Sequence, residues 1–132
     1  MSFKSDLERF AQKVEVDSEK VFRGTSIAIF SSIVKRTPVD KGRLRANWQV
    51  DINKVAKGQL DSVDKSGAKA ISAGSTKANQ ATLDDSVYIV NNLPYAEAIE
   101  NGHSRVKAPA GMVKVTLTEF QKEVKKQANK VK

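Results

Sequence analysis

The stretch that decides the fold is Arg36-Thr37-Pro38-Val39-Asp40-Lys41-Gly42-Arg43-Leu44-Arg45-Ala46-Asn47-Trp48. Pro38 disfavours helical geometry at Thr37, so a helix arriving from the N-terminal side should stop there. The run from Thr37 to Gly42 has the residues of a turn. The stretch therefore predicts a long helix that turns sharply into a strand.

The residues before the turn predict two amphipathic helices. In the first, apolar residues recur at three- and four-residue steps: Phe3, Leu7, Phe10, Ala11 and Val14. The apolar phase breaks near Asp17, which can cap a second helix, while Val16 and Val21 are spaced as a hydrophobic staple. The second helix should end at about Arg36. Its buried face should carry Phe22, Ile29 and Ile33, with Phe30 at the edge and with Lys20, Gly24, Ser31 and Lys35 pointing away.

Beyond the turn, apolar and polar residues alternate from Leu44 to Ile52, which is typical of a half-buried strand. The apolar set is Leu44, Ala46, Trp48, Val50 and Ile52, and the polar set is Arg45, Asn47, Gln49 and Asp51. We expect Trp48 to pack in the core, with a subunit interface as the alternative.

Residues 53–86 are polar and contain three glycines, and we interpret them as a long flexible hairpin or loop. Only the segment from Ala68 to Ala73 looks weakly strand-like. So long a stretch with little structure is unusual inside a compact domain and is more often functional or ordered by a partner.

The rest of the chain predicts one strand and two helices. Val87 to Val90 is an apolar run consistent with a central strand, and Tyr95 to Asn101 could form a short helix ended by Gly102. After Pro109 a single helical stripe is formed by Val113, Leu117, Phe120, Val124, Ala128 and Val131.

These elements predict one α+β domain over residues 1–132. A small antiparallel sheet of three to four strands should be packed by a long N-terminal helical segment and a C-terminal amphipathic helix. Because aromatic residues make up only 6% of the chain, the core should be modest and part of the burial could come from partner subunits.

The charge balance predicts an anionic partner without identifying it. With 23 Lys and Arg against 15 Asp and Glu, the net charge of +8 would attract phosphate backbones or acidic protein surfaces. The densest basic group leaves the same two alternatives open: Arg36, Lys41, Arg43 and Arg45. The chain has no apolar run long enough to span a membrane and no signal peptide, so we expect no membrane partner and synthesis in a cytoplasm.

Residues suited to catalysis are scarce. The chain has no cysteine, and His103 is its only histidine, so neither a sulfur-based nor a histidine-rich metal site is expected. Asp84 and Asp85 are adjacent carboxylates, which more often flank a strand than form an acid/base pair. We therefore expect no enzyme activity, no metal and no cofactor.

Two passages carry a resemblance to a known family. The run from Arg36 to Trp48 resembles the TPVDTGRLRASW signature of tailed-bacteriophage tail-completion proteins, also called tail-terminator or head-tail joining proteins. Tyr95-Ala96-Glu97-Ala98-Ile99-Glu100-Asn101-Gly102-His103 is similar to the YAxxxExG element of that family, and Ala108-Pro109-Ala110-Gly111 continues it towards the last helix. Lys41 departs from the usual Thr of the signature. The residues that carry the family motifs are Pro38, Asp40, Gly42, Leu44, Arg45, Trp48, Tyr95, Ala96, Glu100, Gly102 and Pro109.

The resemblance implies a structural virion protein of the phage neck. Such a subunit forms a ring, typically a homohexamer, at the head-proximal end of the tail tube, where it terminates the tail and joins it to the head connector. Its implied partners are further copies of itself, the tail tube protein and the head-completion (stopper) protein, with transient non-specific contact to genomic DNA in a central passage. Candidate interface or lumen residues are Arg43, Lys54, Lys57, Lys65, Lys69 and Lys77.

Two other functions remain open from the sequence. A basic DNA-binding or packaging-associated protein would show salt-dependent DNA affinity as a monomer. A minor tail or head connector component would keep the virion role at a different position in the particle.

Overall fold

The computed structural model describes residues 17–39, 41–101 and 111–131. The elements in chain order are α1 (Ser18–Arg36), α2 (Arg43–Ala46), β1 (Trp48–Ile52), α3 (Ala68–Ala78), β2 (Val87–Asn91), α4 (Ala96–Glu100), α5 (Val113–Leu117) and α6 (Phe120–Val131). The helix predicted from Phe3 to Val14 lies outside the described residues, as does Val16 of the predicted staple. The α+β class is confirmed, with a smaller sheet than expected.

Helix α1 begins and ends where the sequence predicts. The Asp17 carboxylate accepts hydrogen bonds from the N–H groups of Glu19 (3.0 Å) and Lys20 (3.2 Å), so the predicted cap is confirmed. Thr37 follows the helix in an extended conformation, as expected before Pro38.

The buried face of α1 is confirmed in part. Phe22, Ile29 and Ile33 are buried, but Phe30, expected at the edge, is completely buried. Gly24, expected to face solvent, instead lies against α6, where a Cβ atom would be 2.5 Å from the Gln127 Oε1 atom. The face is wider than the sequence indicates because α1 packs against α3, α5 and α6 together.

The first strand is shorter than predicted. Gly42 has φ +86°, and the four residues that follow form the helical turn α2 before β1 begins at Trp48. The prediction of a strand from Leu44 was therefore wrong for its first four residues. The predicted orientation of Asn47 was also wrong, because this residue is completely buried: its amide donates to the carbonyls of Arg43 (2.9 Å) and Leu60 (3.1 Å) and accepts from the Leu60 N–H.

Among the described residues the sheet has two strands, where three to four were predicted. β1 and β2 pair antiparallel, with Trp48 opposite Asn91 and Ile52 opposite Val87. The apolar run from Val87 to Val90 does form a strand, but the described part of the chain gives it one neighbouring strand rather than the two of a central strand.

The interpretation of residues 53–86 was wrong for their middle part. Ala68–Ala78, whose start had looked weakly strand-like, is the helix α3, packed against β1 and α1. Gly74 allows this packing, since a Cβ atom there would overlap the Phe30 ring. The segment 53–67 has no helix or strand, but side-chain amides hold it: Gln49 donates to the Gly58 carbonyl (3.1 Å), and Asn92 donates to those of Ala56 (3.0 Å) and Gly58 (2.9 Å).

The C-terminal part contains two helices where one was predicted. Helices α5 and α6 are separated at Thr118 and Glu119, and Arg36 binds across this break to Thr116 Oγ1 (3.0 Å) and Glu119 (3.1 Å). Because of the break, Leu117 is 53% exposed rather than part of the buried stripe. Val124 and Ala128 are buried, as predicted.

Two apolar clusters form the core. One joins α1 to the sheet, α3 and α4, and includes Phe30, Ile33, Leu44, Trp48, Leu93 and Met112. The other joins α1 to α6 and includes Val21, Phe22, Ala81, Val124 and Ala128. Phe120 packs against both clusters, so it connects the C-terminal helix to each of them.

Candidate interaction surface at the two sequence motifs

The end of α1 is tied to β1 through Thr37. Its hydroxyl donates to the Ile33 carbonyl (2.7 Å) and accepts from Trp48 Nε1 (2.7 Å). Both residues are buried, so core packing of Trp48 is confirmed. A buried indole N–H requires an acceptor, and Thr37 supplies it.

Arg45 completes this junction. Its guanidinium donates to the carbonyls of Thr37 (2.8 Å), Lys65 (2.8 Å) and Lys35 (2.9 Å). The last carbonyls of a helix have no partner within it and carry partial negative charge, which a cation offsets. Arg45 therefore caps the C-terminal end of α1. Arg36 binds α5 in the same way, so two of the four residues of the predicted basic group form internal hydrogen bonds that stabilise the fold.

Gly42 joins the turn to the long connecting segment. Its carbonyl accepts the N–H groups of Ala46 (3.1 Å) and Asp64 (2.9 Å), and a Cβ atom would lie 2.6 Å from the Lys65 nitrogen. Both the positive φ and the close approach require glycine here.

Asp64 caps α3 from within that segment. Its carboxylate accepts hydrogen bonds from the N–H groups of Gly67 (3.1 Å) and Ala70 (3.0 Å) and from the Ser66 hydroxyl (3.3 Å). Burial raises the pKa of Asp64, but these backbone donors outweigh the burial and hold the pKa below its ordinary value.

Glu100 has the same role in the second motif. Its carboxylate accepts from the N–H groups of Met112 (2.8 Å), Val113 (2.8 Å) and Lys114 (2.9 Å) at the start of α5. Burial raises the pKa of Glu100, but the three N–H groups and the Lys114 charge outweigh burial. The pKa of Glu100 is therefore held below its ordinary value. The motif glutamate thus links α4 to the C-terminal helices.

The two motifs meet at a surface depression of about 260 Å³. It is lined by Pro38, Lys41, Gly42, Arg43, Leu44, Tyr95 and Ile99. Tyr95 is 45% exposed and neighbouring Val39 is 36% exposed, so apolar side chains reach solvent beside two cations. We call this depression with Val39 the motif surface. Its apolar lining suits a protein contact.

A larger depression of about 420 Å³ lies between β1, α3 and the segment 56–64. Its floor includes Trp48 and Val50, and its rim carries Asp51 with Lys77 at 3.5 Å. The hydrogen bond from the Ile52 N–H lowers the pKa of Asp51 more than burial raises it, and Lys54 and Lys77 lower it further. Two of the predicted interface or lumen residues, Lys54 and Lys77, are therefore paired with a carboxylate.

The remaining predicted residues fall into three groups. Leu44 and Ala96 are buried core residues. Arg43, Lys57, Lys65 and Lys69 are exposed, and Arg43 donates to Gln59 (3.3 Å). Asp40, Gly102, His103 and Pro109 lie outside the described residues.

Three residues with structural roles were missed by the sequence reasoning: the acceptor Thr37, the buried Asn47 and the cap Asp64. The run Asp64-Lys65-Ser66-Gly67 before an alanine-containing segment was a recognisable helix-start signal. No comparable signal marked Asn47, because strict alternation assigned it to the solvent side of a strand.

The described residues also limit the chemistry of the chain. Within residues 17–39, 41–101 and 111–131, no three His, Cys, Asp or Glu side chains group as a metal site. No helix in those ranges is long and apolar enough to cross a membrane. Asp85, one of the paired carboxylates, accepts from Thr82 N (2.8 Å) and Asn53 Nδ2 (2.7 Å) and so flanks β2, as expected.

A family model described as "Bacteriophage HK97-gp10, putative tail-component" matches residues 2–102, which include both motif passages up to Gly102. No curated protein and no solved structure matches the chain. Helices α5 and α6 lie beyond the matched residues.

Proposed function

This chain belongs to the HK97-gp10-like family of bacteriophage tail components, and from that premise we propose that it forms a ring in the phage neck. The family makes it a structural phage protein. In our proposal the ring is a homohexamer at the head-proximal end of the tail tube, where it terminates the tail and joins it to the head connector. The tail tube protein and the head-completion protein are its proposed neighbours.

The observation that carries the proposal is the use of the motif residues. Thr37, Arg45 and Glu100 are occupied by internal hydrogen bonds that fix the ends of helices. What the two motifs present outwards is the motif surface, an apolar depression with cations at its rim. A surface built in this way suits binding by shape, as expected of an assembly subunit.

We assign the motif surface to the contact between neighbouring copies. A head-to-tail ring needs two different surfaces on each subunit. The segment 53–67 adjoins the motif turn through the Asp64 to Gly42 hydrogen bond and adds exposed apolar residues: Val55, Leu60 and Val63. Leu117 on α5 is 53% exposed and is available for the other contact.

The proposal includes no catalytic step. The described carboxylates with lowered pKa values, Asp51, Asp64, Asp85 and Glu100, all accept backbone hydrogen bonds that stabilise turns and helix starts. Groups used in this way are held ionised by the fold, which is the opposite of a general acid poised near neutral pH.

Two tyrosines provide a matched test of the ring interface. Tyr95 and Tyr88 have similar exposure, 45% and 41%, but only Tyr95 lines the motif surface. We expect native mass spectrometry to find hexamers for the wild type and for Tyr88→Asp, and monomers for Tyr95→Asp that keep the circular-dichroism spectrum of the folded subunit. Equal assembly of the two variants would contradict the assignment of this surface.

The place in the virion is tested in the phage. Particles made without this protein should show abnormally long or headless tails by electron microscopy, and the gene for wild type supplied in trans should restore joined particles. Normal, infectious particles in its absence would refute the neck role.

A further inference from the structure

Helix α6 carries a row of lysines on its solvent side. The exposed residues of the helix are Gln121, Lys122, Lys125, Lys126, Asn129 and Lys130, while Val124, Gln127 and Ala128 are buried. At 100° per residue the four lysines fall within an arc of about 140°. We call Lys122, Lys125, Lys126 and Lys130 the lysine ridge.

The positive charge of the ridge is not neutralised within the described residues. No salt bridge joins these lysines to the carboxylates of residues 17–39, 41–101 or 111–131. The nearest acid in sequence, Glu123, accepts a hydrogen bond from Gln127 at 2.9 Å. Most other described carboxylates are engaged elsewhere: Asp17, Glu19, Asp51, Asp64, Asp85, Glu100 and Glu119.

We infer that the lysine ridge binds the phosphate backbone of double-stranded DNA without sequence preference. This inference rests on the proposed function, because a ring in the neck has a central DNA passage and the lysine ridge is the part of the subunit that would face it. Lys122, Lys126 and Lys130 follow one another at a rise of about 6 Å, so the ridge is about 12 Å long. That length covers three to four phosphates of one strand, which are spaced at about 3.4 Å along the duplex axis.

The composition of the face favours DNA over an acidic protein surface. Every cation of the ridge is a lysine, whose ammonium binds phosphate as a point charge without a fixed geometry, which suits contact without sequence preference. Protein interfaces are usually centred on buried apolar or aromatic anchors. The exposed face of α6 offers only Gln121 and Asn129 beside its lysines, which matches the polar, positively charged character of DNA-binding surfaces.

The lysine ridge is not among the candidate interface or lumen residues expected from the sequence, which are Arg43 and five lysines of residues 54–77. Lys54 and Lys77 lie 3.8 Å and 3.5 Å from the Asp51 carboxylate, so their charge is partly offset. Within residues 17–39, 41–101 and 111–131 no carboxylate forms a salt bridge with the ridge, and the ridge lies outside the residues shared with the family model.

Fluorescence anisotropy with a short random-sequence duplex tests the inference on the full-length chain. The ridge variant changes Lys122, Lys125, Lys126 and Lys130 to Gln. A control of equal charge changes Lys20, Lys35, Lys69 and Lys77 to Gln, none of which lies in the segment 53–67. Affinity is measured at several salt concentrations between about 50 and 200 mM, because the slope of log affinity against log salt reports the number of phosphate contacts. Circular dichroism confirms that each variant keeps its helices.

We expect the ridge variant to lose at least tenfold in affinity, with a salt slope smaller by about 3 to 4 per contacting subunit. The control should lose less than about threefold, and Lys→Arg changes at the ridge should preserve binding because they preserve charge. Equal losses of DNA affinity in both variants would mean that only net charge acts, and would overturn the inference. A wild type that does not bind DNA, or a ridge variant that binds DNA with wild-type affinity, would also overturn it. A ridge variant that no longer binds an acidic tail protein but still binds DNA would also overturn the inference.

Ring formation measured on the same samples separates this inference from the proposed function. A ridge variant that forms normal rings but does not retain DNA supports the inference. A wild type that binds DNA through the ridge without forming a ring refutes the ring and leaves the ridge in place.

Discussion

Replacing Thr37 by valine keeps the size of the side chain and removes one buried hydroxyl. Trp48 Nε1–H then has no acceptor, and the Ile33 carbonyl loses the hydroxyl that donates to it at 2.7 Å. Each buried polar group left unpaired costs about 1 to 3 kcal/mol, so we expect Thr37→Val to lower the free energy of unfolding by about 2 to 4 kcal/mol. With a urea m-value of about 2 kcal/mol/M, the midpoint should fall by about 1 to 2 M.

Trp48 is the only tryptophan of the chain, so its fluorescence reports unfolding at the site of the change. Thr37→Ser is the conservative control: it keeps the hydroxyl and should cost only about 1 kcal/mol for the lost methyl group. Thr76→Val is the matched control at an exposed site, where the hydroxyl donates to the Ser72 carbonyl, and should stay within about 0.5 kcal/mol. A Thr37→Val protein as stable as Thr76→Val would refute the reasoning that this hydroxyl joins α1 to β1.

Three further substitutions test other contacts of the fold. Gly42→Ala should lower the free energy of unfolding in urea by about 2 to 5 kcal/mol, because it adds a backbone clash to a positive φ. Gly58→Ala is the control: Gly58 has φ +83° and no atom within 4 Å of the added Cβ, so the loss should be only about 1 to 2 kcal/mol. Equal losses would show that the contact with Asp64 is unimportant. Because the folded-state pKa of Glu100 is lowered, its contribution is full above the unfolded value of about 4.3 and is lost as pH falls through the folded pKa. Glu100→Gln should therefore melt lower than wild type at pH 7, with the difference shrinking at pH 3, and a constant difference would contradict the ionic cap. Phe120→Ala should lower stability by about 2 to 4 kcal/mol and make α6 sensitive to limited proteolysis, and an unchanged digestion pattern would show that this ring does not seat the helix.

Because residues 53–86 contain the helix α3, a deletion within them should affect folding. If the whole stretch were a loop, removing residues 58–80 would leave the fold intact. Because Ala70, Gly74 and Ala78 are buried on α3 against the core, such a deletion should instead abolish soluble folded protein.

The sequence by itself determined the parts of the molecule that local chemistry specifies. Asp17 and Pro38 fix the two ends of α1, since a cap and an imino acid act on their immediate neighbours. Periodicity indicated the buried positions Phe22, Ile29 and Ile33 of α1, the apolar strand at Val87 and the amphipathic character of α6. The two motifs indicated the family, which the match over residues 2–102 confirmed.

Only the tertiary structure decided how these parts are joined, because the deciding contacts connect residues far apart in the chain. Asn47 is buried because Leu60 approaches it, and α3 packs against α1 because Gly74 admits the Phe30 ring. Glu100 stabilises a helix that begins after it in the sequence, and the motif surface exists only where Pro38 and Tyr95 meet. Periodicity and propensity describe one element at a time, whereas these hydrogen bonds and contacts form only once separate elements pack together.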